Sequence, residues 1–248
     1  MKKNMIVRIF VSLSVLAAFG CIWPSLSTAG TVYDMAADWS DTNPNGVWSL
    51  GHDSAGGRTG SYAAVTTNPF YNNYFETLPT FWNPGANTAP AIYRGPAQCN
   101  ACGFDTTAVT INDVIIAAGA TAGVVSWTAP QDGTVDISWS YHNLQVGEMN
   151  FYINDSGVDL DSVLSVAGVG MTDSRDLNDN ADLGGHSVSA GDVISLISDM
   201  AGDPSSDTSK FSFSIDFTPV PEPSSLVLLV FGAVACMLSR RRSSNVRR

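Results

Sequence analysis

Four oxygen-bearing side chains, Asp176, Asn178, Asn180 and Asp182, fall at every second residue within "TDSRDLNDNADLGG" (172–185). Carboxylates and amides at that spacing can wrap hard oxygen ligands around Ca²⁺. The EF-hand pattern is not met, because Ala181 stands where its glycine belongs and Ser187 where its closing glutamate belongs. A solvated acidic loop is the competing account, as it is for "NDSGVDLDS" (154–162). Calcium is therefore the one cofactor these residues suggest.

Two further groups have chemical potential. Cys99 and Cys102 form a C-x-x-C in a Pro/Gly/Asn-rich stretch. A thioredoxin-like pair needs a strand-to-helix context and zinc needs a second ligand pair, so in an oxidising compartment a local disulfide is expected. "NPFYNNYFETLPTFW" (68–82) interleaves aromatics with Asn and carries one charge. Tyr71, Tyr74 and Trp82 are its carbohydrate-binding candidates, since aromatic faces stack on sugar rings while amides bond hydroxyls; the alternative is that they plug one end of the core. No G-x-S-x-G or H-E-x-x-H occurs, and His52, His142 and His186 lie in separate segments. The expectation is a protein that is not an enzyme.

The elements that must position these residues read as strands. Val135, Ile137, Trp139 and Tyr141 alternate with polar residues, as do Phe211, Phe213, Ile215 and Phe217. Each run suits a strand with one buried and one wet face. Further strands are expected within 46–51, 124–127, 149–154, 163–167 and 192–198, and Pro130-Gln131-Asp132-Gly133 reads as a hairpin loop between Trp127 and Val135. Helical periodicity is absent. Short strands, frequent Gly, Asn, Asp and Ser turns and no βαβ spacing predict an all-β fold, an antiparallel β-sandwich of jelly-roll type.

Between Gly30 and Pro221 four basic residues (Arg58, Arg94, Arg175, Lys210) face 22 of the chain's 23 acidic ones, a formal charge of −18. Such a surface repels phosphate backbones, which excludes nucleic acid and leaves cations, neutral polysaccharide and other proteins as partners.

The ends read as address labels. Lys2, Lys3 and Arg8, an apolar run from Ile9 to Trp23 and small residues up to Ala29 describe a secretory signal peptide over 1–29. The body occupies 30–218. At the other end lies a tail over 219–248: Val220-Pro221-Glu222-Pro223-Ser224-Ser225, an apolar span over 224–239, and a basic end over 240–248 with Arg240, Arg241 and Arg242 in front. As a helix the span reaches about 24 Å, short of a hydrocarbon core of roughly 30 Å. The arginines orient it with its end in the cytoplasm. Each proline fixes its own φ and disfavours helix in the residue before it, so the strip ahead of the span is expected to be extended.

Those three parts, in order, resemble the PEP-CTERM sorting tail of Gram-negative bacteria that make extracellular polysaccharide. The resemblance implies recognition by exosortase, a membrane-embedded cysteine peptidase, and removal of the tail near Pro221-Glu222-Pro223. It further implies an inner-membrane intermediate followed by display at the cell surface or release into the extracellular matrix and biofilm. "NPNGVWSLGH" (43–52), "VVSWTAPQDGTVDISWSY" (124–141) and "SAGDVISLIS" (189–198) also resemble β-sandwich ectodomains that precede this tail, implying a structural or adhesive surface domain. A calcium-dependent carbohydrate-binding module is the first alternative and a secreted hydrolase the second.

Overall fold

The computed structural model describes residues 29–67, 81–82, 90–95, 109–110, 113–117, 119–145, 147–167, 172–176, 184–201 and 208–220. Within these residues fifteen strands run in chain order: β1 Thr31–Asp34, β2 Trp48–Asp53, β3 Ala63–Ala64, β4 Thr66–Thr67, β5 Phe81–Trp82, β6 Ala91–Arg94, β7 Val114–Ala117, β8 Ala122–Thr128, β9 Gly133–Asn143, β10 Glu148–Asp155, β11 Val158–Ala167, β12 Thr172–Asp176, β13 His186–Val188, β14 Val193–Met200 and β15 Thr208–Pro219. No helix occurs among the described residues.

The strands form two antiparallel sheets. The larger runs β12-β9-β15-β7-β6-β5-β4, with β1 also on β15 and β13 also on β9, and the smaller runs β11-β10-β14-β8-β2-β3. Within them the quartets β7-β15-β9-β12 and β8-β14-β10-β11 have the two-Greek-key connectivity of a jelly roll. The expected sandwich is therefore present.

Alternation places the core. On β9, Val135, Ile137, Trp139 and Tyr141 point inward, opposite Phe217, Ile215, Phe213 and Phe211 of β15. The second sheet contributes Trp48, Leu50, Val125, Trp127, Phe151, Ile153, Ile194 and Leu196. Aromatic rings carry much of this burial: Tyr141 stacks on Phe151 at 4.6 Å, and Trp48 meets the edge of Phe213 at 5.6 Å. Polar contacts that join the sheets include Trp139 Nε1 donating to Asp161 Oδ2 at 3.2 Å, His186 Nε2 pairing with Asp155 Oδ2 at 2.7 Å and Ser209 Oγ donating to Met149 Sδ at 2.9 Å.

The Pro130–Gly133 turn is a correction. It does not return β8 onto itself as a hairpin but carries the chain across to the other sheet. Both edges of β8 are already taken, by β14 and by β2, so β9 has no place beside it. The corner is clasped by a second one at 189–192: Ala129 N donates to Asp192 O, Gly191 N to Ala129 O, and Ala190 N to Asp132 Oδ1, each at 2.8 Å. Gly133 is required where β9 begins, because a Cβ there would collide with the Phe217 ring.

The two acidic stretches are also corrected in part. "NDSGVDLDS" is a tight hairpin: β10 ends at Asp155, Ser156 and Gly157 make the turn, and β11 begins at Val158. Asn154 Oδ1 accepts from Gly157 N at 2.9 Å and closes it. The first residues of the second stretch, Thr172–Asp176, are strand β12, its Asp176 opposite Ser138.

Candidate functional site

The sites expected from sequence fall mostly outside the described residues. That holds for Tyr71, Tyr74, Cys99, Cys102, Asn178, Asn180 and Asp182, and for the tail from Pro221 onward with Glu222, Pro223 and the arginine cluster. Trp82 has its backbone in β5, opposite Thr66 and Ala91. Val220 is exposed and directly follows Pro219, which is still paired to Gly133. Among the described residues no three His, Cys, Asp or Glu side chains converge on a metal position, and no helix is long and apolar enough to cross a membrane.

Many carboxylates of this acidic body have a local task. Asp34 accepts from Ala36 N and Ala37 N, Asp113 from Thr110 N, Asp136 from Gly185 N, and Asp192 from Ser189 N, all within 2.9 Å. Aspartate suits this because its short side chain reaches backbone N–H groups that turns leave without a strand partner. Part of the acidity is thus turn chemistry.

One such carboxylate builds a site. Asp53, buried at the end of β2, accepts from Ala55 N and Gly56 N through Oδ1 and from Arg58 N through Oδ2 at 2.7 Å. It folds residues 54–62 into a strap over the outer face of the smaller sheet, where Tyr62 covers Val124, Tyr152 and Ile197. Beneath the strap Ser126 and Ser195 share a hydrogen bond of 2.8 Å. Gly60 crosses so close above the β10–β11 turn that a Cβ would come within 2.7 Å of the Ser156 carbonyl carbon.

Arg58 locks the strap. Its guanidinium lies 4.0 Å over the Tyr152 ring and makes a two-point contact with Asp159, Nη2 to Oδ2 at 2.9 Å and Nε to Oδ1 at 3.1 Å. Asn154 Nδ2 also donates to Asp159, at 2.9 Å. Burial pushes the Asp159 carboxyl up, but the hydrogen bonds from Arg58 and Asn154 outweigh it and hold the group below the usual carboxylate range. Arg58 and Ser156 are the two described non-glycine residues with positive φ, 47° and 48°, and both lie here. Such conformations persist only where surrounding contacts over-determine them.

Between the strap and the sheet lies a cleft of about 160 Å³ lined by Asp53, Arg58, Thr121, Ala122, Ile197 and Asp199 among others. Asp199 is its distinctive group. Burial raises the Asp199 carboxyl above its usual range, against a backbone hydrogen bond from Met200 and the nearby Arg58. No side chain among the described residues donates to it.

The sequence carried faint signals for this site. Arg58 is one of four basic residues in the body and sits among Gly56, Gly57 and Gly60, which marks a loop built for an unusual path. Its partner Asp159 is 101 residues away, and only the fold joins them.

His52, beside Asp53, makes this region pH-sensitive. Burial lowers its pKa below the ordinary 6.5, against the raising effect of Asp53. The unfolded chain therefore takes up a proton on His52 near pH 6.5 where the folded chain resists it, so stability is full above that value and falls as pH drops below it. The melting temperature should decline from about pH 7.5 to about pH 5.5, and His52→Gln should flatten that slope. Equal slopes for both proteins would refute the assignment.

Fold and carboxyl-terminal sequence together define the class: a jelly-roll sandwich followed in the chain by a sorting signal. Comparison with family models identifies the signal, since residues 219–242 match the PEP-CTERM protein-sorting motif. The motif marks an exported protein processed at a membrane. Among solved structures, the CBM36-1 domain of a multidomain xylanase from the hindgut metagenome of Trinervitermes trinervoides is similar at 9% identity and a TM-score of 0.33, covering 70% of this chain and 99% of that one. A carbohydrate-binding module CBM36 in complex with calcium and xylotriose is similar at 14% identity and a TM-score of 0.27, covering 47% of this chain and 87% of that one. No curated protein matches the chain.

Proposed function

We propose that this is a surface or matrix protein, freed from its tail by exosortase and serving a structural or adhesive role in extracellular polysaccharide. One observation carries the proposal: the sorting motif starts at residue 219, where β15 ends. Loss of the tail leaves every described strand of the sandwich in place, as delivery of an intact domain requires. A formal charge of −18 over the body disfavours anionic polymers, so a neutral polysaccharide is the preferred partner.

The every-second-residue series Asp176, Asn178, Asn180 and Asp182 supports a calcium-dependent carbohydrate-binding module as a second possibility. Binding of the processed protein to an array of polysaccharides, with and without chelator, tests both. Chelator-insensitive binding to a neutral polymer is expected. Binding abolished by chelator, with a calcium-dependent rise in melting temperature, would favour the calcium module. Binding to no polymer would overturn the polysaccharide role, and turnover of glycosidic or ester substrates would point to a hydrolase.

A further inference from the structure

We propose that the cleft between the 54–62 strap and strands β8 and β14 binds one ring of a neutral sugar through a pair of adjacent hydroxyls. The inference rests on the polysaccharide role above and names the surface that would perform it.

The size of the cleft sets the class of ligand. At about 160 Å³ it is well below the roughly 300 Å³ at which pockets for larger ligands begin. That size suits one ring of a sugar rather than a whole oligosaccharide.

The lining sets the chemistry. The Asp199 carboxylate is an acceptor with lone pairs to offer and no side-chain donor among the described residues, so hydroxyl O–H groups are its natural partners. Arg58 supplies the opposite function. Asp159 occupies the Nε and Nη2 edge of its guanidinium, while Nη1 carries two further N–H donors. An adjacent diol matches this pairing, one hydroxyl donating to Asp199 and its neighbour accepting from Arg58. Ala122 and Ile197 offer small apolar surfaces against ring C–H groups.

Charge excludes the main competitors. A phosphate or uronate would face Asp53 and Asp199 in one small cleft, and a divalent cation would face the Arg58 guanidinium. A neutral polyol avoids both repulsions. The site is also pre-formed, because Asp53 ties the first half of the strap through three backbone N–H groups and the Arg58–Asp159 bridge fixes its middle. Pre-organisation of this kind lowers the ordering cost of binding.

The test uses the processed protein from the surface fraction and arrayed neutral oligosaccharides of glucose, galactose and mannose, with affinities then measured by calorimetry. Asp199→Asn removes the acceptor charge at constant shape, and Ala120→Leu fills the cleft from an exposed residue on its lining. Each should weaken binding at least tenfold while the melting temperature stays near that of the parent. Ala120→Leu keeps the test valid if Asp199→Asn does not fold. Parent binding that both folded variants retain would overturn the cleft and leave the polysaccharide role standing. A parent protein that binds no sugar on the array would overturn both.

Discussion

Replacing Pro221, Glu222 and Pro223 together with alanine is expected to leave export intact but trap full-length protein in the inner membrane. The ladder between β15 and β9 continues through Thr218↔Thr134 to Pro219↔Gly133. A peptidase needs extended backbone, and residues locked in a ladder are not free to enter its cleft. Val220 alone separates the ladder from the Pro-Glu-Pro strip, so little upstream chain is available for recognition. Recognition is therefore expected to fall on the strip itself, whose prolines favour an extended backbone that alanines would not impose. Membrane fractionation should show the processed form reduced at least tenfold. In the parent, mass spectrometry of surface material should find a terminal peptide ending near Pro223. Surface-released peptides that include Arg240 to Arg248 would contradict this and identify the tail as a permanent anchor.

Phe213→Ala should be the most destabilising of the simple core changes on β15. This strand pairs with β9 along most of its length and with β7 and β1 on its other side, so it joins the larger sheet together. Phe213 is 1% exposed and packs edge-on against Trp48 of the opposite sheet. Removing the ring forfeits its transfer free energy and leaves a cavity between the sheets, a loss of about 3–5 kcal/mol. For a body of this size the melting temperature should fall on the order of 10 °C. Ser212, the preceding residue, is exposed and bonds Ser140 across the surface, at 2.6 Å. Ser212→Ala should therefore change stability by about 0.5 kcal/mol or less. Comparable losses for the two variants would mean that the inward and outward faces of β15 are wrongly assigned.

That pair of neighbours also marks what could be read without a structure. Alternation along 135–141 and 211–217 identified two central strands and their buried faces, because side-chain direction in a strand has a period of two whatever its partners are. The sorting tail was equally legible, since a cleavage strip, an apolar span and a basic end act in linear order and need no fold to bring them together. The acidic turns were visible as composition, although not as the backbone acceptors that Asp34, Asp53, Asp136 and Asp192 prove to be.

Pairing was decided elsewhere. A Pro-x-x-Gly turn between two apolar runs serves a hairpin or a crossing between sheets equally well, and occupation of both edges of β8 by β14 and β2 made it a crossing. The cleft is the stronger case. Asp53, Arg58, Asp159 and Asp199 are scattered over nearly 150 residues, and no local pattern links them. Sequence alone thus determined the address of this protein and the parity of its strands, both local properties of the chain. Only the tertiary structure decided which strands became neighbours and which charges came to share a cleft, because those outcomes depend on burying two sheet faces against each other at long range.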